Sequence, residues 1–213
     1  MTKIKAVIFD MDGVLIDAKD WHYEALNRAL GMFGYTISRY DHLVTYDGLP
    51  TRKKLEMLSR EQALPRQLHD FLNELKQIYT MELVYSRCKP VFHHEYALAK
   101  LKARGYKLGV CSNSIRQTVE VMMERSNLSK YFDSMLSNQD VKAAKPDPEM
   151  YRVAAERLGL SPPECLVIED NENGIRSAQG AGAQLLVVDS VNEVQFDNIM
   201  RRIAELETTV EGR

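Results

Sequence analysis

Four short runs of Val, Ile and Leu, at 6–9, 108–111, 166–168 and 185–188, are apolar on consecutive positions and flanked by polar or turn residues. Neighbouring side chains of a strand point to opposite faces, so such runs suit strands covered on both sides, as in a parallel sheet between helices. A weaker strand candidate lies at 134–136. Helical patterns separate them at 95–104, 115–125, 148–158 and 174–181. That alternation predicts βαβ units and an α/β fold with a doubly wound parallel sheet.

The pattern is interrupted once. From 18 to 89 no strand run occurs, and the apolar spacing is helical at 21–33, near Asp41, at 51–60 and at 65–85. Leu55 and Leu58, then Leu68, Phe71, Leu72, Leu75, Ile78, Tyr79 and Leu83, follow that period. An insertion of about 70 residues is large enough to form its own small core. The expected domains are therefore an α/β unit of residues 1–17 and 90–213 and a helical unit of residues 18–89. A terminal amphipathic helix is expected at 192–206, with 207–213 frayed.

Bulk properties narrow the setting. In 213 residues, 45% hydrophobic and 27% charged content is ordinary for a folded globular chain, and a formal net charge of -2 gives no field toward nucleic acid or anionic membrane. No run approaches membrane-spanning length, and the segment before residue 6 lacks the apolar stretch of a signal peptide. Cys88, Cys111 and Cys165 lack metal-ligand spacing, and the latter two sit in apolar runs as small core residues. A reduced, cytoplasmic protein is expected.

In an open parallel sheet, ligands bind beyond the carboxyl ends of the strands. The first run ends in Asp10-Met11-Asp12-Gly13, the second in Ser112-Asn113-Ser114 and the third in Glu169-Asp170-Asn171. One polar strand end is an ordinary turn, but three of this composition on one rim point to chemistry. Asp10 and Asp12 are two apart and share a side of an extended chain. Carboxylates that close repel unless a cation neutralises them or one keeps its proton. Asp10 then suits an ionised nucleophile and Asp12 a general acid, with Gly13 allowing a tight turn. Glu169 and Asp170 add hard oxygen ligands suited to Mg²⁺. Ser112 offers a hydroxyl ahead of a helix N-terminus, and Lys145, in Lys145-Pro146-Asp147-Pro148, offers a counter-charge for phosphoryl oxygens.

With Asp10-Met11-Asp12-Gly13-Val14-Leu15-Ile16-Asp17, Val110-Cys111-Ser112-Asn113-Ser114, Lys145-Pro146-Asp147-Pro148 and Val167-Ile168-Glu169-Asp170, the sequence resembles the haloacid dehalogenase superfamily of phosphatases, in the branch around beta-phosphoglucomutase-like enzymes. Gly174, Ala178, Ala181 and Gly182 fit that family's small-residue helix, and the resemblance spans nearly the whole chain. It implies a Rossmann-like core with an inserted helical-bundle cap that selects the substrate. It further implies a monomer acting on a small phosphorylated metabolite with Mg²⁺. Asp10 would become an aspartyl-phosphate, and Asp12 would protonate the leaving group and then activate water. Ser112, the Asn113 amide and Lys145 would hold phosphoryl oxygens. Asp10, the Asp12 carbonyl and Asp170 would bind the metal, with Glu169 beside it or ligating. His22 falls where relatives carry a histidine at the cap hinge.

A phosphomutase shares the first half-reaction, but its cap arginine is replaced here by Thr51, with Arg52 one step later, and Arg116 rather than lysine follows Ser114-Ile115. A phosphonatase needs a cap lysine of depressed pKa, for which Lys53 and Lys54 are the available residues. A dehalogenase would not need Asp12, and in a signalling receiver the acidic pair precedes the phosphorylated aspartate. A non-catalytic binding protein on this scaffold could lose Asp10, Asp12 or Lys145, and all three are present. His93-His94 reads as a helix start, and Tyr40, His42 and Tyr46 either face substrate or pack within the cap. A sugar or polyol monophosphate is the expected substrate class.

Overall fold

The computed structural model describes residues 3–208 of the protein. Its strands β1 (Ala6–Asp10), β2 (Lys107–Cys111), β3 (Ser134–Leu136), β4 (Cys165–Glu169) and β5 (Gln184–Val187) form one parallel sheet of order β3-β2-β1-β4-β5. The chain divides into two compact units, one of which is the insertion Ala18–Cys88. Its second boundary falls one residue before the expected one, because Lys89 groups with the sheet unit.

The insertion is helical throughout its regular elements: α1 (Lys19–Gly31), α2 (Arg39–Asp41) continuing into a π-helical turn at His42–Tyr46, α3 (Thr51–Glu61) and α4 (His69–Arg87). Pro65 opens a short 3₁₀ turn, Arg66–Leu68, that splits the predicted 65–85 helix at its start. Leu26, Ala29 and Leu30 of α1 meet Leu55 and Leu58 of α3 and Leu72 of α4 in a separate buried core, with Ile37, Tyr46 and Leu64. Residues three or four apart share a helix face, which is why this spacing closes a core. Tyr46 thus packs inside the unit, its hydroxyl donating to Glu61 at 2.5 Å, whereas Tyr40 is exposed.

In the sheet unit, α5 (Phe92–Ala103), α6 (Arg116–Arg125), α7 (Glu149–Arg157), α8 (Glu172–Ala181) and α9 (Phe196–Thr208) complete the fold. All five residues of β1 and of β4 are buried, as expected of runs covered on both faces. Ala6, Ile8, Cys165 and Val167 share one face with Cys111 and Leu136, and pack against Met150, Tyr151, Ala154 and Ala155 of α7 and Ala178 of α8. Each large apolar side chain so buried contributes about 1.5–3 kcal/mol. His93 and His94 lie in the first turn of α5, and His94 bonds the Val191 carbonyl at 2.8 Å. The last helix starts later than its pattern suggested, after a 3₁₀ turn at Val191–Glu193, and stays helical to Thr208. The rest of the segment expected to fray, 209–213, lies outside the described residues. Among the described residues no helix is long and apolar enough to cross a membrane, and Cys88, Cys111 and Cys165 are buried and form no disulfide.

Candidate active site

Strand parity builds the site. The face that carries Ala6 and Ile8 next carries Asp10, and the face that carries Cys165 and Val167 next carries Glu169. Phe9 pairs with Ile168, so Asp10 and Glu169 emerge side by side from adjacent strands. Between them sits the Lys145 ammonium, which donates to Asp10 Oδ1 at 2.5 Å, Glu169 Oε1 at 2.7 Å and the Cys111 carbonyl at 3.0 Å. An ammonium has three protons, and all three are used. The array is dry: Lys145 is 4% exposed, Asp10 8% and Glu169 1%.

Charge at this depth is expensive, and the site carries more acid than base. Burial pushes the Asp10 carboxyl well above its usual range; Glu169 adds to that, Lys145 offsets part, and Asp170 and Asp12 push the same way. For Lys145, burial alone would lower the pKa, but the Asp10 and Glu169 carboxylates outweigh it and hold the proton above the ordinary lysine value. Tyr151 donates its hydroxyl to Glu169 Oε1 at 2.5 Å, and its ring lies 4.8 Å from the ammonium. Burial and then the Glu169 charge raise the Tyr151 pKa, so the phenol keeps its proton and remains a donor.

The loop ends are fixed by local bonds. Gly13, at φ 94°, takes the left-handed conformation and donates to the Ile16 carbonyl at 2.7 Å, turning the chain directly after Asp12. Val14, Leu15 and Ile16 are buried, so the apolar half of the first motif is packing. Asp12 Oδ2 accepts from the Ser112 and Ser114 hydroxyls, each at 3.3 Å. Asn113 clamps the Lys145 backbone at both ends: its Oδ1 accepts the Lys145 amide at 3.0 Å, and its Nδ2 donates to the Lys145 carbonyl at 3.1 Å. The Asn113 side chain therefore aims Lys145, a role separate from the one expected of its amide.

Asp10, Glu169 and Asp170 each offer a carboxylate oxygen within 4.8 Å of the others. Three hard oxygen donors around an excess of negative charge fit a divalent cation of the Mg²⁺ kind, and offer nothing to a soft metal. Gly174 gives the carboxylate of Glu169 its room: a Cβ there would lie 1.7 Å from Oε1 and 2.0 Å from Cδ. In an exposed helix, Gly→Ala stabilises by about 1 kcal/mol. Here Gly174→Ala is expected to do the reverse, lowering stability by about 1–3 kcal/mol through overpacking and turnover about 10²-fold by displacing Glu169 and Lys145. Thermal unfolding and steady-state kinetics check this; a stabilised, active variant refutes it.

Asp10, Asp12, Ser112, Asn113, Lys145, Glu169 and Asp170 thus converge at one end of the sheet. The expected cap residues lie in the helical unit. Thr51 is the half-buried first residue of α3, Arg52 forms an exposed pair with Asp70 at 3.3 Å, and His22 Nδ1 lies 3.3 Å from Lys76 Nζ. Tyr151, Ser114 and the side-chain role of Asn113 were not singled out in sequence. Tyr151 falls on the apolar spacing of its helix beside Met150 and Ala154, which marks it only as core.

The family profile described as haloacid dehalogenase-like hydrolase matches residues 7–188. A phosphorylated carbohydrates phosphatase of Thermotoga maritima is 32% identical over 197 residues, covering 89% of this chain and 88% of that protein. A pyrophosphatase, PpaX, of Bacillus velezensis is 29% identical, covering 85% and 82%. Among solved structures, a beta-phosphoglucomutase of Clostridium difficile superposes with a TM-score of 0.84 at 25% identity, covering 96% of this chain and 99% of that one.

Proposed function

The chain belongs to the haloacid dehalogenase-like hydrolases, and on that premise we propose that it is a Mg²⁺-dependent phosphatase of a small phosphorylated metabolite, a sugar or polyol monophosphate. The observation that carries this reading is the buried Asp10–Lys145–Glu169 array at the ends of β1 and β4. It holds one carboxylate rigidly, with a fixed cation beside it, where a phosphoryl group can approach.

Asp10 attacks phosphorus, an Asp10–phosphorus bond forms, and the bond from phosphorus to the leaving oxygen breaks. Asp12 gives its proton to that oxygen, then takes one from the water that cleaves the aspartyl-phosphate and releases inorganic phosphate. Ser112 and the Asn113 amide hold the phosphoryl oxygens, and Lys145, with its three protons on Asp10, Glu169 and the Cys111 carbonyl, supplies counter-charge beside them. Asp10, Asp170 and the Asp12 carbonyl, with Glu169 adjoining, are the residues to bind Mg²⁺, which when bound lets a phosphate dianion approach a carboxylate. The helical unit acts as the cap, and a cytoplasmic monomer is the form proposed.

A panel of phosphorylated sugars, polyols and nucleotides, assayed for phosphate release with Mg²⁺ and with chelator, tests this. Release is expected only with Mg²⁺, at rates that rank the substrates. A second reading, sugar phosphomutase, draws on the structural likeness to a beta-phosphoglucomutase. Isomerised sugar phosphate without net phosphate release would select it. Phosphate release that persists in chelator defeats the metal assignment.

A further inference from the structure

Tyr151 of α7 is 1% exposed and reaches into the buried array, yet no step of the proposed reaction uses it. A hydroxyl buried this deeply is costly unless a partner satisfies it. Its partner is a carboxylate: Tyr151 donates to Glu169 Oε1 at 2.5 Å.

Glu169 is held by more than that bond. Its Oε1 also accepts from the Lys145 ammonium at 2.7 Å, and its Oε2 accepts from the amides of Asp170 at 3.2 Å and Asn171 at 3.4 Å. An ionised carboxylate offers about four lone-pair positions, and these four donors account for them. The two bonds to Oε1 are the short ones. The Gly174 backbone closes in on the same oxygen, since a Cβ there would lie 1.7 Å from it. Turning Oε1 toward a cation would break the Tyr151 and Lys145 bonds together, and Lys145 would keep a buried proton without an acceptor. Tyr151 therefore acts at a distance from the reacting atoms: it holds Glu169, Glu169 holds Lys145, and Lys145 holds Asp10.

We infer that Tyr151 is a positioning residue of the phosphoryl-transfer site: its hydroxyl commits Glu169 Oε1 to Lys145, which keeps Glu169 an anchor for the lysine and off the metal. This rests on the Mg²⁺-dependent phosphatase reading and deepens it. Of the three carboxylates that can share a cation, Asp10 and Asp170 ligate and Glu169 contributes charge alone. The hydroxyl competes with the cation for an oxygen while it steadies the lysine beside the nucleophile. It opposes metal binding and favours turnover, so the two effects of removing it run in opposite directions.

Tyr151→Phe keeps the ring that packs with Met150 and Ala154 and deletes only the hydroxyl. Mn²⁺, which takes the same hard oxygen ligands as Mg²⁺, is titrated by calorimetry into the metal-free protein. Hydrolysis of 4-nitrophenyl phosphate is measured separately with Mg²⁺ in excess. In Tyr151→Phe, Mn²⁺ is expected to bind about tenfold more tightly, because a site that gains a charged oxygen ligand gains affinity. At the same time kcat falls about tenfold and KM moves less than about threefold, because Lys145 loses its fixed aim on Asp10. In a Glu169→Gln background the same substitution leaves Mn²⁺ affinity unchanged, since the carboxylate through which Tyr151 acts is gone. Unchanged Mn²⁺ affinity in Tyr151→Phe overturns the inference, and weaker binding does so by showing Glu169 to be a ligand that Tyr151 orients. A gain that survives in the Glu169→Gln background, or a kcat equal to that of the wild type, overturns it as well. Tighter, Glu169-dependent Mn²⁺ binding in a protein whose wild type releases no phosphate keeps Tyr151 as the residue that holds Glu169 off the metal and removes the hydrolase reading instead.

Discussion

Asp10→Asn protein is expected to fold as the wild type does and to release phosphate at least about 10⁴-fold more slowly, the scale seen when a covalent nucleophile is removed. The amide has the carboxylate's shape but no charge, and its nitrogen lone pair is delocalised, so no group at that position attacks phosphorus. Stability should hold or rise. Burial and the neighbouring acids Glu169, Asp170 and Asp12 all disfavour charge on Asp10, and an Asn oxygen can still accept the bond that Lys145 donates to Oδ1. Rapid-quench measurement of acid-stable phosphoprotein is the direct check. Phosphoprotein should accumulate transiently in the wild type and be absent in the variant. Turnover within tenfold of wild type would falsify the assignment of Asp10, since among the described residues no other carboxylate is held so close to Lys145 except Glu169, whose Oε1 is already shared with Tyr151.

The parts of this site that were legible in sequence are those that strand geometry dictates. A run apolar on every position must be buried on both faces, which located β1 and β4, and the residues just past a buried strand of a parallel sheet lie on the functional rim. Asp10, Ser112 and Glu169 were found in that way. Contacts made across long stretches of chain were not legible. The Asn113 side chain meets the Lys145 backbone 32 residues away, and nothing local distinguishes an asparagine that clamps from one that ends a turn. Tyr151 has the same difficulty, since helical spacing predicts burial but not a hydroxyl partner. Arg52-Lys53-Lys54 read as one charged cluster, yet the helix period separates it: Arg52 and Lys53 are exposed and Lys54 is buried. The π-helical turn after α2 left no signature either, because it adds no period that a sequence pattern can register.

Lys145→Met should lose both fold stability and activity, and the two losses have one cause. Methionine fills a similar volume but leaves Asp10 and Glu169 buried next to each other with their shared cation gone. Breaking a buried pair by removing one partner costs about 3–5 kcal/mol, which for a chain of this size lowers the unfolding temperature by roughly 6–20 °C. Turnover should fall by about 10²–10³-fold, the usual cost of deleting one fixed charge-stabilising donor. Arginine is a poor substitute, because its planar fork cannot reproduce three bonds that converge on one nitrogen. The double variant Asp10→Asn/Lys145→Met separates charge from packing. If repulsion between the stranded carboxylates causes the loss, removing one of them should return part of the stability, so the double variant is more stable than Lys145→Met alone. Thermal unfolding of the four proteins in chelator, with the wild type completing the cycle, reads that coupling directly. A Lys145→Met protein as stable as wild type, or a double variant whose stability change equals the sum of the two single changes, means that the lysine contributes packing alone and that Asp10 is held in place by something else.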